Sequence, residues 1–108
     1  NFLHITDVAR AFIFAFENFE RMTGETFNVG LSDANISKAE LADRIRLQIP
    51  KLRIMEAEFA QDPDKRDYIV SNEKIESRGF APSTSLDTGI EELIRGYPFY
   101  SSSRFNNV

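Results

Sequence analysis

The sequence predicts an α/β fold, running β-α-β-α-β and then a short extended piece and two helices. Three observations carry this expectation. Short runs of strand length and composition precede helical stretches; each helical stretch opens on a residue suited to capping; and single glycines or prolines punctuate the elements. Strands that alternate with helices in this way are the pattern of α/β architecture.

Each element has its own justification. Residues 2–5 (FLHI) read as a first strand. Thr6 or Asp7 then offers a side-chain oxygen to the free N–H groups of a helix start. The helix that follows, residues 8–22, is apolar almost all round, with Val8, Ala9, Ala11, Phe12, Ile13, Phe14, Ala15, Phe16 and Phe19, so it needs cover on every side. Gly24 suits its C-terminal cap. Residues 26–29 (TFNV) read as a buried strand ended by Gly30. Ser37 and Glu40 form an S-x-x-E capping box, with Ile36 and Leu41 at the two hydrophobic staple positions. The helix they open carries Leu41, Ile45 and Ile49 along one face and stops at Pro50. Residues 52–59 (LRIMEAEF) read as a third strand, residues 60–66 as a turn-rich loop, and residues 67–70 (DYIV) as a brief extended piece. Ser71 or Asn72 caps a short helix closed by Gly79. Ser85 caps a last helix whose face is Leu86, Ile90, Leu93 and Ile94, with Gly96 closing it.

Composition narrows the classes of function. The chain has 108 residues and 42% hydrophobic content, the material of one modest core or part of one. Thirteen basic against 17 acidic residues leave a net charge of −4, without runs of like charge, so no nucleic-acid surface is expected. The longest apolar run, residues 11–16, is far below the roughly 20 residues that span a bilayer. No secretory pattern is visible, and a cytoplasmic location is expected. The absence of cysteine excludes disulfides and thiolate metal sites. Asn35-Ile36-Ser37 matches the glycosylation tripeptide, which is read as chance.

Few residues carry candidate chemistry. The single histidine, His4, alternates with apolar neighbours and is expected to be a hydrogen-bonded packing residue, not a catalytic base. The paired carboxylates Glu91-Glu92 and Asp62 with Asp64 fit solvated faces. The five glycines are scattered singly, with neither a G-x-G-x-x-G turn nor a P-loop. The cluster Lys65-Arg66-Asp67-Tyr68 has two readings. Arg66 offers a planar fork to phosphate oxygens, Lys65 a second positive charge, and Tyr68 a ring for a base or sugar. Alternatively it is a solvated loop in which Arg66 pairs with Asp62, Asp64 or Asp67.

Four stretches, in order and at suitable spacing from Phe2 to about Tyr97, resemble one family. NFLHITDVARAF resembles the R-x-F-I-H-V-x-D-V-A-R-A segment of NAD-dependent epimerases/dehydratases, the extended short-chain dehydrogenase/reductases that modify nucleotide-sugars. ETFNVG is similar to their late Y-N-V-G strand, with Phe27 in place of tyrosine. SKAELADRI is similar to the helix that follows it. The stretch DPDKRDYIVSNEKIESRGFAPSTSLDTGIEELIRGY resembles their closing segment, with an Asp/Arg loop ahead of a K-I-x-x-x-G-F-x-P signature.

The resemblance implies the C-terminal third of such an enzyme, entered just after the motif's leading arginine. Residues 1–30 would be the last helix and strand of a Rossmann-type dinucleotide-binding sheet. Residues 31–97 would be a substrate-binding lobe; residues 98–108, which end in the polar and loosely patterned SSSRFNNV, are read from their composition as a flexible tail. It further implies NAD as the parent enzyme's cofactor, with none bound by this chain alone. The chain has no Tyr-x-x-x-Lys pair and no glycine-rich cofactor turn, so no catalytic residue is assigned. Arg66, Lys65 and Tyr68 become candidate contacts to a nucleotide-sugar. Where many relatives carry Arg-Pro at the end of the strand that residues 52–59 match, this chain has Phe59-Ala60. The partner the resemblance implies is an N-terminal dinucleotide-binding domain; a homodimer is expected under any reading, because exposed apolar patches such as that of helix 8–22 usually find a partner. The alternative is a stand-alone interaction or nucleotide-sugar-binding module without enzyme activity.

Overall fold

The computed structural model describes residues 1–55 and 69–100, apart from the side chain of Tyr100. Among these residues five α-helices form: α1 Ile5–Glu17, α2 Phe19–Met22, α3 Lys38–Gln48, α4 Glu73–Glu76 and α5 Leu86–Tyr100, with a 3₁₀ turn at Ser32–Ala34. The β-α-β-α-β order expected from the sequence is not what forms. Among the described residues there is no strand, and the regular structure is helical.

The correction has a physical cause at each place. A strand exists only where a neighbour completes its row of N–H and C=O groups, and composition does not supply that neighbour. The first turn of α1 reaches back to Ile5, and among residues 2–4 the Phe2 N–H is used by a single bond to the Ala34 carbonyl (3.1 Å). Residues 26–29 are laid along α4 instead of beside another extended segment. There Lys74 donates to the Thr26 carbonyl (2.9 Å) and lies 4.7 Å from the centre of the Phe27 ring. The third expected strand has no regular structure over residues 52–55, and residues 56–59 lie outside the described residues.

The helices follow local signals more closely. In α3 the capping box is complete: the Ser37 hydroxyl accepts from the Glu40 N–H (3.2 Å), and the Glu40 carboxylate accepts from the Ser37 N–H (2.7 Å). Ser85 accepts from the Thr88 N–H at the start of α5 (3.1 Å). Gly24 and Gly79 both take positive φ (76° and 103°), the conformation that made them suitable terminators. Two helical expectations change. The helix expected over residues 8–22 breaks at Asn18, whose side-chain amide takes the Phe14 carbonyl (2.9 Å) alongside its own backbone N–H (3.0 Å). Gly96 does not close α5, since its φ is not positive, and the helix continues through Pro98 to Tyr100.

The main core is small. Ala11 of α1, Met22 of α2, Ile75 of α4 and Phe80 are buried together, with Phe14, Ala15, Phe27 and Val29 packed around them. The Phe14 and Phe80 rings sit 5.5 Å apart at a tilt of 44°. One face of α1 is thereby used. The opposite face, with Ile5, Phe12, Ile13 and Phe16, stays open; Phe12 is 75% and Phe16 84% exposed. The all-round apolar character read from the sequence therefore finds cover on only one side.

Candidate functional site

Residues 2–6, α3 and α5 enclose a cleft of about 630 Å³. Its walls are mainly aliphatic: Leu3 from the N-terminal segment, Leu41 and Ile45 from α3, and Leu86, Ile90 and Leu93 from α5. The 3.6-residue period explains the last two groups, because residues 41 and 45, and 86, 90 and 93, each share a helix face. Arg44 and Gln48 hold α3 to α5 at one end. Arg44 pairs with both carboxylate oxygens of Asp87 (3.2 and 3.1 Å), and Gln48 donates to the Asp87 carbonyl (2.9 Å). An aliphatic interior of this size accommodates an apolar group of ligand dimensions.

His4 stands at the rim. Its Nδ1 accepts the Thr6 N–H (3.2 Å), so His4 is the N-cap of α1 in place of the expected Thr6 or Asp7. That acceptor role puts the ring proton on Nε2, which donates to the Glu92 carboxylate of α5 (3.0 Å). Both ring nitrogens are thus engaged within the fold, as expected of a hydrogen-bonded packing histidine. The Glu91-Glu92 pair is split, with Glu92 on His4 and Glu91 on Arg95. Two carboxylates with separate partners do not act on one substrate atom.

Asp7, offered by the sequence only as a helix cap, is fully buried. Its carboxylate accepts the backbone N–H groups of Ser83 (3.1 Å) and Thr84 (2.9 Å) and the Arg10 guanidinium (2.7 Å). Desolvation pushes this carboxyl upward, but the Thr84 and Ser83 amides, the Thr84 side chain and Arg10 together outweigh it and hold it below the ordinary aspartate value. A signal was available: Asp7 shares a helix face with Ala11 and Phe14, so it points into the core and must find partners there. What no local rule supplies is that the partners lie at residues 83 and 84.

A second polar system joins distant segments. The Asn1 side chain pairs with both backbone groups of Leu31, donating to its carbonyl (2.7 Å) and accepting its N–H (3.1 Å). Asn35 does the same for Val70 (2.9 and 3.0 Å), and Asn1 also donates to Asn35 (2.9 Å). Side-chain amides here replace the sheet partner that these segments lack. The Asn35 nitrogen, the atom a glycan would need, is already committed to Val70. On the far side, Glu25 pairs with Lys74 (3.1 Å) and Arg78 (2.7 Å). The Lys74 hydrogen bond leads in holding its carboxyl below the usual range, against some desolvation and with help from Arg78.

The candidate contacts Lys65, Arg66 and Tyr68, with Asp62 and Asp64, lie outside the described residues. Their C-terminal flank is placed, since Val70 is held through Asn35. Among the described residues no group of three or more His, Asp or Glu side chains could hold a metal ion, and no helix is long and apolar enough to cross a membrane. No protein-family model matches the chain.

Proposed function

We propose that the chain is the C-terminal, substrate-binding portion of a nucleotide-sugar epimerase or dehydratase that works through NAD. The observation that carries this reading is the open apolar face of α1, with Ile5, Phe12, Ile13 and Phe16 exposed. It lies inside the stretch that resembles the family's H-V-x-D-V-A-R-A segment. A helix apolar on both sides belongs between two layers, and the N-terminal dinucleotide-binding domain is the layer this reading assigns to it. Support also comes from Asp7 and from Ser83 and Thr84, which sit in the first and last of the four resembling stretches and are bonded to one another. The chain is not catalytically competent alone, because the tyrosine–lysine pair and the cofactor turn would come from the other domain. Arg66, with Lys65 and Tyr68, would meet the diphosphate and the adjoining sugar or base.

Two measurements test the reading. The coding sequence ahead of Asn1 should specify a glycine-rich strand–turn–helix and a Tyr-x-x-x-Lys; the absence of both refutes it. Calorimetric titration of the enzyme with nucleoside diphosphate sugars should show saturable binding, weakened about tenfold or more by Arg66→Ala. Binding indifferent to that change removes Arg66 from the site.

The same exposed face supports a second reading, a stand-alone interaction module that closes on a second copy. It requires a stable oligomer that Phe12→Glu with Phe16→Glu dissociates, and a monomer in sedimentation rejects it.

A further inference from the structure

His4 performs two tasks with one proton. Its bare Nδ1 caps α1 through the Thr6 N–H (3.2 Å), and its Nε2–H binds Glu92 (3.0 Å). The ring also has a prepared seat on α5. A Cβ at Gly89 would come within 3.3 Å of His4 Cδ2, so the helix carries glycine, its least favoured ordinary residue, where the imidazole lies. Glu92, one turn on, meets the ring nitrogen. Ring, glycine and carboxylate join the N-terminal segment to α5 along one wall of the aliphatic cleft.

We propose that His4 is a proton-sensitive latch at the rim of this cleft: its neutral form ties the first turn of α1 to α5, and its protonated form releases that turn. A second proton must go to Nδ1, which then faces the Thr6 N–H as donor against donor, and the cap is lost. The new positive charge also sits at the positive end of the α1 dipole. In the opposite direction, protonation makes the contact to Glu92 a charged pair. Glu92 is 58% exposed, so water screens most of that gain. The ring stays on Glu92, and the first helical turn is what loosens.

Few titratable groups line the cleft around the ring. Among the described residues lining the cleft, the titratable groups besides His4 are Glu92 and Tyr97. From α1, the Asp7 carboxylate is spent on Arg10, Ser83 and Thr84. From α3, Arg44 is spent on Asp87. Release is confined to residues 3–6, because Asn1 and Phe2 remain bonded to Leu31 and Ala34. Histidine is the side chain whose ordinary charge change falls between about pH 5 and 8.

His4 is the single histidine of the chain, so NMR of the imidazole nitrogens reads it without ambiguity. At about pH 7.5 the full chain should show the Nε2–H tautomer. At about pH 5.5 the Thr6 amide, corrected for its intrinsic exchange rate, should lose protection about fivefold, the equivalent of one N-cap. His4→Asn keeps a capping oxygen but cannot titrate, and should hold Thr6 protection constant across the same range. An Nδ1–H tautomer at neutral pH, unchanged Thr6 protection in the native chain, or a native-like pH response in His4→Asn would each overturn the latch.

Discussion

Replacing Asp7 by alanine should be among the most damaging single changes in this protein. The carboxylate has no exposed surface and accepts from the backbone of Ser83 and Thr84 and from Arg10. Alanine strands two backbone N–H groups, each costing about 1–3 kcal/mol when left without a partner. Arg10 is 46% exposed and can rehydrate, so its share is small. The sum is about 3 kcal/mol, to be set against a total stability of about 5–15 kcal/mol for a domain. For a chain of this length that corresponds to a fall in Tm of roughly 10–20 °C, measurable by calorimetry or by circular dichroism on heating. Asp7→Asn keeps one carbonyl oxygen but turns an NH₂ group toward an N–H donor, and should cost about 2 kcal/mol. The pH dependence has a definite sign. The folded-state carboxyl is held below its ordinary value of 3.8, so its contribution is complete above that value. It is lost as pH falls through the lower, folded value, because there the unfolded chain binds the proton more readily. Asp7→Asn should remove that part of the acid destabilisation. A Tm within 2 °C of the native chain for Asp7→Ala, or an unchanged acid limb for Asp7→Asn, would refute the assignment of Asp7 as the tie between α1 and residues 83–84.

Two further outcomes are expected. Ser37→Ala removes the hydroxyl half of the capping box and should lower stability by about 1 kcal/mol, seen as a reduced urea midpoint with an unchanged slope. Ile75→Ala opens a cavity beside Phe80, Met22 and Ala11, where Ile75 is 2% exposed; it should cost about 2–5 kcal/mol, whereas Ile75→Val should cost only about 1.

Helix ends and strands differ in how far away their causes lie. The Ser37–Glu40 box, the Ser85 cap and the positive-φ glycines at 24 and 79 are complete within a few residues, so the chain announces them locally. The break at Asn18 is also local, yet it depends on whether an amide side chain takes the carbonyl four residues back, which composition does not decide. Residues 2–5 and 26–29 have strand-like composition, but a strand is a relation between two segments. In their places a helix turn begins at Ile5, and Lys74 and Phe27 hold the other stretch to α4.

The site divides in the same way. His4 could be read as a packing residue from its apolar neighbours, while its partners, Thr6 two residues on and Glu92 on α5, belong to two different scales of distance. The aliphatic stripes of α3 and α5 are periodic and visible in the chain; that they face one another across a cleft appears only in the fold, where Arg44 of α3 also meets Asp87 of α5. What the amino-acid order alone determined was the Ser37 and Ser85 caps, the glycine terminators at 24 and 79 and the two-sided apolar character of α1, because those follow from neighbours within one or two turns. The tertiary structure decided that Asp7 and Asn35 would serve as cross-links, that one face of α1 would stay open, and that no ladder would join the extended segments among the described residues. Each of those depends on which groups 30 to 80 residues apart are brought within hydrogen-bonding distance, and a buried polar group is stable only where such a partner arrives.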